Sequence, residues 1–247
     1  FWTTCCASCA RFLPPPRSFQ RSANRPCELA QFDPCDLCEP RSEILVRHGQ
    51  QQWPDPETST TGDWVDPPLS ELGRAQAEAV GKYLAEEHPS AVYSSHLLRA
   101  NDTGKAVASH HGLDVTVVHE LEEYRMFQHL DGSTRAIDVL GERALEGMRS
   151  RFVQTRQWDV YPHSESSLDF RRRIGYSIEG VLAHHPGETA IVACHGGVIN
   201  AYAGHVLGID SPLFFLPSYT SVTRVLAAST GERSIGSLNE TSHLRDV

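Results

Sequence analysis

Apolar positions recur along this chain in two rhythms, a short continuous run and a helical stripe, and their alternation lays out the elements. Glu43 to Arg47 (Glu-Ile-Leu-Val-Arg) is an apolar run ending in polar residues and Gly49, the pattern of a buried strand that feeds a loop. Residues Gln50 to Pro68, rich in Pro, Asp, Thr and Gly, are expected to form that loop. From Ser70 the apolar residues Leu72, Ala75, Ala79, Val80, Tyr83 and Leu84 form one helical stripe, with Ser70 as its cap. Ala91 to Ser94 then reads as a second strand, His96 to His110 as a helix and Asp114 to Val118 as a third strand. The β-α-β-α-β order predicts an open, mostly parallel sheet covered by helices.

Beyond Asp131 the stripe Ala136, Val139, Leu140, Ala144, Leu145, Met148 and Phe152 predicts an inserted helical cap, running to about Tyr161. Ser166 to His184 is a further helix, stopped by Pro186-Gly187, and Glu188 to Cys194 a central strand. That strand runs into His195-Gly196-Gly197 and a helix from Val198 to Leu207. Two strands, about Ser221 to Ala228 and Arg233 to Leu238, end the pattern. The fold class is therefore α/β, a three-layer α/β/α sandwich with a mostly parallel central sheet and a helical cap insertion.

Composition sets off residues 1–42 from this domain, which spans 43–247. Six of the seven cysteines lie before residue 39, beside Pro14, Pro15 and Pro16, with no sustained period, so a poorly ordered leader is expected. Cys6 with Cys9 and Cys35 with Cys38 offer four thiolates to zinc, but the 25 residues between the pairs exceed the roughly 15–20 of a common zinc ribbon. No apolar core of about 7–15 residues near the start marks an export signal. The later Cys194, without an obvious partner, fits a reducing cytoplasm. A formal net charge of −9 argues against a general nucleic-acid binder, which needs a surplus of Lys and Arg. No apolar run approaches the ~18 residues of a membrane helix. Any anion is thus gripped by a few placed residues.

Ligands of open α/β sheets bind at the carboxyl ends of the strands. Here those ends deliver Arg47-His48-Gly49, then Ser94-Ser95 with Arg99 one turn on, then Glu120, Glu122 and Glu123, and finally His195-Gly196-Gly197. Guanidinium forks suit a phosphate dianion, so Arg47 and Arg99 are the expected clamp, with Gln50 and Gly196 beside it. A neutral imidazole is a good nucleophile for phosphorus, a role open to His48. A second imidazole, His195, is expected protonated against the phosphate, aided by N–H groups at the following helix start. A carboxylic acid near the leaving oxygen, Glu123 or Glu122, would complete the set, its proton held by burial or neighbouring carboxylates. Arg171-Arg172-Arg173 spreads around a helix and is expected to be a solvated face, and Gly81-Lys82 lacks the upstream glycine of a nucleotide loop.

From about Glu43 to Leu244 the chain resembles the histidine phosphatase superfamily, which contains cofactor-dependent phosphoglycerate mutase and many phosphatases. The resemblance rests on Ile44-Leu45-Val46-Arg47-His48-Gly49, Pro68-Leu69-Ser70-Glu71-Leu72-Gly73 with Gln76-Ala77, and Ser94-Ser95-His96-Leu97-Leu98-Arg99-Ala100 with Thr103. It continues in Leu121-Glu122-Glu123, Glu165-Ser166 and Val192-Ala193-Cys194-His195-Gly196-Gly197-Val198. It implies His48 as the phosphorylated nucleophile, Arg47, Arg99 and His195 as the phosphate pocket, Glu123 as proton donor, and neither metal nor cofactor. His96 stands where the family usually has Pro, and Gly104 where it has Ala.

Mutases of the family tend to carry Ser and Asn after Arg-His-Gly and a Glu-Arg-His-Tyr-Gly-like stretch around the acid. Gln50-Gln51-Gln52-Trp53 and Glu123-Tyr124-Arg125-Met126 depart from both and favour a phosphatase acting on a small phosphate ester. The alternatives are mutase-type phosphotransfer and a catalytically silent phosphate-binding module. The loop after His48 and the cap insertion are expected to roof the site, with Trp53, Phe127, His129, Arg135 or Trp158 selecting the leaving group. A homo-oligomer is compatible with the chain.

Overall fold

The computed structural model describes residues 41–55, 57–141, 147, 150–152, 154–160, 163–228 and 230–247. The leader, with both Cys-x-x-Cys pairs, lies outside the described residues apart from 41–42. Six strands form one sheet: β1 Arg41–Arg47, β2 Ala91–Ser94, β3 Val115–Val117, β4 Ala190–Cys194, β5 Val222–Ala227 and β6 Arg233–Glu240. Their order is β3-β2-β4-β1-β5-β6. The first four strands in that order run parallel, whereas β5 lies antiparallel to β1 and β6 antiparallel to β5.

The helices are α1 Thr61–Val65, α2 Glu71–Tyr83, α3 Leu98–Ser109, α4 Ala136–Leu140, α5 Ser167–His184 and α6 Gly196–Leu207. Alternate side chains of the central strands face opposite layers, as the pleat requires. Leu45, Val192 and Cys194 pack with Phe170, Ile174 and Ile178 of α5 and Val198, Ile199 and Tyr202 of α6. Ile44, Val46, Val92 and Ile191 pack with Val80 of α2, the adjoining Leu84 and Val107 of α3. This is the expected three-layer sandwich. Each fully buried Ile or Leu contributes about 1.5–3 kcal/mol of burial energy, which fixes the central strand ends rigidly enough to carry a site.

The helix starts follow local chemistry. Ser70 accepts the Gly73 N–H and Ser166 the Asp169 N–H, each from an extended cap conformation. Two expectations need correction. The stretch 50–68 is not wholly loop, because Thr60 and Asp63 form a reciprocal capping box that starts α1. The cap helix does not run on from residue 136, because Gly141 ends α4 at φ +76; helix is again described at 150–152 and 154–155, and much between lies outside the described residues. No helix among the described residues is long and apolar enough to cross a membrane.

Candidate active site

The chain leaves β1 toward β2 on one side, and leaves β4 toward β5 on the other, so the sheet reverses direction above β1 and β4. Crevices form at such reversals. Two backbone bonds set the loops that follow: His48 N–H donates to the Cys194 carbonyl (2.9 Å) and Ser95 N–H to the Ala193 carbonyl (3.1 Å). Gly49 and Gly73 let the loop after β1 lie against the start of α2, since a Cβ on either would overlap the backbone of the other segment. Gln50 is pinned there, its amide oxygen accepting from the Ser70 hydroxyl at 2.8 Å and its N–H donating to the Gln76 side chain at 2.9 Å.

His48 is buried, 2% exposed, with its ring centroid 5.1 Å from that of the fully buried His195. Its Nδ1 lies 2.7 Å from the Gly49 carbonyl, which can only accept, so Nδ1 carries the proton and Nε2 keeps its lone pair. Burial, reinforced by Arg99 and Arg47, pushes the His48 imidazole well below the ordinary histidine value. His48 is thus neutral near pH 7.

Arg99 is buried, and its Nη1 donates to the Val65 carbonyl at 3.0 Å, with Asp66 Oδ1 at 3.9 Å. Arg47 donates through Nη1 to the Pro217 carbonyl. Arg47 Nε, Arg99 Nε and both ring nitrogens of His195 are buried with no hydrogen-bond partner among the described residues. Leaving such groups unpaired costs about 1–3 kcal/mol each, more for charged ones. Burial pushes both arginines below their ordinary value, opposed at Arg47 by Tyr219, through charge and a hydroxyl hydrogen bond, and then Glu123, and at Arg99 by Glu123 and Asp66. Burial, then Arg99, His48, Arg47 and His96, also pushes His195 well below the ordinary histidine value. Its protein surroundings alone therefore hold His195 neutral, and the imidazolium expected from the sequence depends on the phosphate it would face.

Glu123 follows a short 3₁₀ turn, His119–Leu121. Its Oε2 accepts the Gly197 N–H at 3.0 Å, in the first turn of α6, and its Oε1 accepts the Tyr124 N–H at 3.1 Å. Each oxygen keeps a further lone-pair site. Gly197 has to be glycine, since a Cβ there would overlap Glu123 Oε1 and stand 2.9 Å from Trp158 Cζ2. Gly196 is packed against Arg47, with its Cβ position 3.5 Å from Nε. Glu122, the other carboxylate considered, is instead ion-paired to Arg125 and lies 3.6 Å from His96 Nε2. The crevice therefore holds a neutral imidazole with a free Nε2, unpartnered arginine and imidazole nitrogens, and one carboxylate at a helix start.

The sequence profile of the histidine phosphatase superfamily (branch 1) matches residues 44–241. The chain belongs to that superfamily. It is 30% identical over 178 residues to phosphoserine phosphatase 1 of Hydrogenobacter thermophilus, 70% of this chain and 79% of that one. It is 31% identical over 193 residues to a 2,3-bisphosphoglycerate-dependent phosphoglycerate mutase of Corynebacterium glutamicum, 68% and 77% of the two chains. A solved mycobacterial glucosyl-3-phosphoglycerate phosphatase shares 26% identity at a TM-score of 0.63, covering 81% of this chain and 99% of its own.

Of the residues the sequence points to for phosphate chemistry in this histidine phosphatase, His48, Arg47, Arg99, His195, Gly196 and Glu123 meet in the crevice. Gln50, expected beside the clamp, instead spends its amide oxygen on Ser70 and its N–H on Gln76. Other expectations fare differently. Arg173 is not part of a solvated face: it pairs with Glu165 and donates to the Glu120 and Glu122 carbonyls at 2.6 and 3.0 Å, clamping the segment that carries Glu123. Glu165 also accepts the Arg125 N–H at 2.9 Å. Trp158 stacks on Tyr124 (centroids 5.2 Å) and packs near Gly197, while Trp53 is 64% exposed.

Two contributors escaped the sequence reading. Tyr219 lies with its ring 4.2 Å from Arg47 Cζ and 5.8 Å from the His48 ring. Asn200, 1% exposed on α6, holds the loop before β5 by accepting the Phe214 and Phe215 N–H groups and donating to the Phe215 carbonyl. The signal lay in the direction of β5. An antiparallel strand brings its preceding loop, not its following one, to the crevice.

Proposed function

We propose that this chain is a phosphomonoester hydrolase that works through a phosphohistidine on His48. The observation that carries the reading is the free Nε2 of a neutral His48 beside the unpartnered nitrogens of Arg47, Arg99 and His195. The two guanidinium groups and His195 bind the phosphate of a small monoester. Its charge favours the imidazolium form of His195, reversing the effect of burial. His48 Nε2 attacks phosphorus in line, forming an N–P bond as the ester P–O bond breaks. The Nδ1–H bond to Gly49 disperses the positive charge left on the ring.

Glu123 delivers its proton to the departing oxygen, and the alcohol leaves. The resulting carboxylate takes a proton from water as that water attacks phosphorus; the N–P bond breaks, phosphate departs, and His48 and Glu123 regain their starting forms. No step in this scheme calls for a metal ion, because two arginines and the imidazolium supply the positive charge. The buried Cys194 thiol suits a cytoplasmic setting.

Glu123→Gln tests the scheme. It spares kcat/KM for 4-nitrophenyl phosphate, whose leaving group needs no proton, depresses kcat/KM for an alkyl phosphate by about 10²–10⁴-fold, and slows phosphate release from His48 alike for both through loss of the base. Equal losses of kcat/KM on both esters remove Glu123 from the role of acid. Interconversion of 2- and 3-phosphoglycerate faster than hydrolysis would replace the hydrolase reading by a mutase.

A further inference from the structure

Tyr219 takes no part in the steps above, yet the fold spends strain to place it. Ser221 N–H donates to the Ser218 carbonyl at 3.1 Å, closing a tight turn with Tyr219 and Thr220 at its centre. Thr220 sits at φ +51. That region disfavours a β-branched residue and is occupied only where surrounding contacts enforce it. Here they do. Thr220 is fully buried, its N–H donates to the His48 carbonyl at 3.3 Å, and its hydroxyl donates to the Tyr219 carbonyl at 2.8 Å. The Ser218 N–H is held by Asn239 at 2.7 Å and the Ser221 carbonyl by the Arg47 N–H at 3.1 Å.

The turn hands two groups to the pocket. The Pro217 carbonyl takes one end of the Arg47 guanidinium, and the Tyr219 ring lies against it with its centroid 4.2 Å from Cζ. The same ring stands 5.8 Å from His48, and His195 stands 5.1 Å from it. A long arginine side chain keeps much rotamer freedom unless a carbonyl and a ring fix both its edge and its plane.

We infer that Tyr219 is a positioning residue of this site, its ring and the Pro217 carbonyl together locking the Arg47 guanidinium in the one orientation that grips a phosphate dianion. This rests on the phosphate reading above. Tyr219 acts through Arg47, so its removal weakens phosphate binding more than turnover. The expected loss is roughly tenfold, the scale of a partly desolvated cation–π contact.

The test measures orthophosphate dissociation constants by calorimetry, with KM and kcat for 4-nitrophenyl phosphate, in wild type, Tyr219→Phe, Tyr219→Leu, Arg47→Lys and the Arg47→Lys/Tyr219→Leu double variant. Tyr219→Leu is expected to raise Kd and KM about tenfold with kcat changing less, and Tyr219→Phe, which keeps the ring against Arg47 but loses the hydroxyl hydrogen bond, to fall between Leu and wild type. In the Arg47→Lys background the Leu substitution is expected to add little, because the planar group it serves has gone. Unchanged phosphate affinity in Tyr219→Leu, or losses that simply add in the double variant, would overturn the inference. Tyr219→Met, with the same expectation, replaces the Leu variant if that one does not fold. A wild type that binds no orthophosphate overturns the phosphate reading itself, and the inference with it.

Discussion

Gly197→Ala probes the placement of Glu123 without altering any charged group. The new methyl would overlap Glu123 Oε1 and stand 2.9 Å from Trp158 Cζ2, where carbon atoms rest about 3.5–4.0 Å apart. The indole is held by its stack on Tyr124 and its contact with Phe170, and α6 is anchored by the buried Val198, Ile199 and Tyr202. The carboxylate is the group left to move, by roughly 1 Å. A misplacement of that size costs a proton transfer about 10²-fold, near 2.7 kcal/mol in the transition state. The loss in kcat/KM should fall on alkyl phosphates, which need the proton, and spare 4-nitrophenyl phosphate, whose kcat falls only as far as release of phosphate from His48 limits it. Steady-state kinetics on both esters, with a thermal melt to verify folding, checks this. Equal losses of kcat/KM on the two, or full activity on the alkyl ester, would refute the argument that Glu123 works from beside Gly197.

Three further outcomes follow from buried charges. The activity of His48 needs its neutral form, and burial with Arg99 and Arg47 lowers its pKa, so the acid limb of kcat/KM should lie below pH 6.5. Arg99→Gln removes one of those charges and should shift the limb upward in a pH–rate profile; a limb that stays put contradicts the assignment. Glu43 is fully buried on β1 with both carboxyl oxygens unpartnered among the described residues, and burial, then Glu179, raises its pKa well above the ordinary 4.5. Its protonated form is the one the fold accepts, so stability is fully present below pH 4.5 and is lost as pH rises through the raised value. Glu43→Gln should therefore match wild type near pH 4 and exceed it at pH 8 in urea titrations; a gap independent of pH would count against a neutral Glu43. Arg173→Met strands Glu165 and three backbone carbonyls of the acid segment, and should cost about 3–5 kcal/mol. Recovery of much of that in Arg173→Met/Glu165→Met, read by denaturant midpoints, separates the stranded charge from lost packing.

The central sheet was legible because buried strands such as Ala190–Cys194 and striped helices such as Glu71–Tyr83 carry strong periods. The cluster His48, Arg47, Arg99, His195 and Glu123 was legible because four parallel strands present reactive residues at the same edge. What stayed hidden depends on contacts distant in sequence. The short α1 rests on a capping box and supplies the Val65 carbonyl to Arg99. Arg173 looks like one of three surface charges until Glu165 and the carbonyls before Tyr124 surround it. Tyr219 precedes a strand, and only the antiparallel pairing of β5 with β1 brings it to Arg47. The burial of His195 beside two arginines, which makes its imidazolium depend on a facing phosphate, is likewise a tertiary property.

The most direct test of phosphoryl transfer to His48 is intact-protein mass spectrometry. Wild type and His48→Ala are mixed with excess 4-nitrophenyl phosphate and quenched within milliseconds under alkaline conditions that preserve a phosphorus–nitrogen bond. The account predicts a mass increase of one phosphoryl group in wild type, accompanied by nitrophenol release, and none in the variant. Nitrophenol release by wild type without an adduct, or an adduct that persists in His48→Ala, would contradict it.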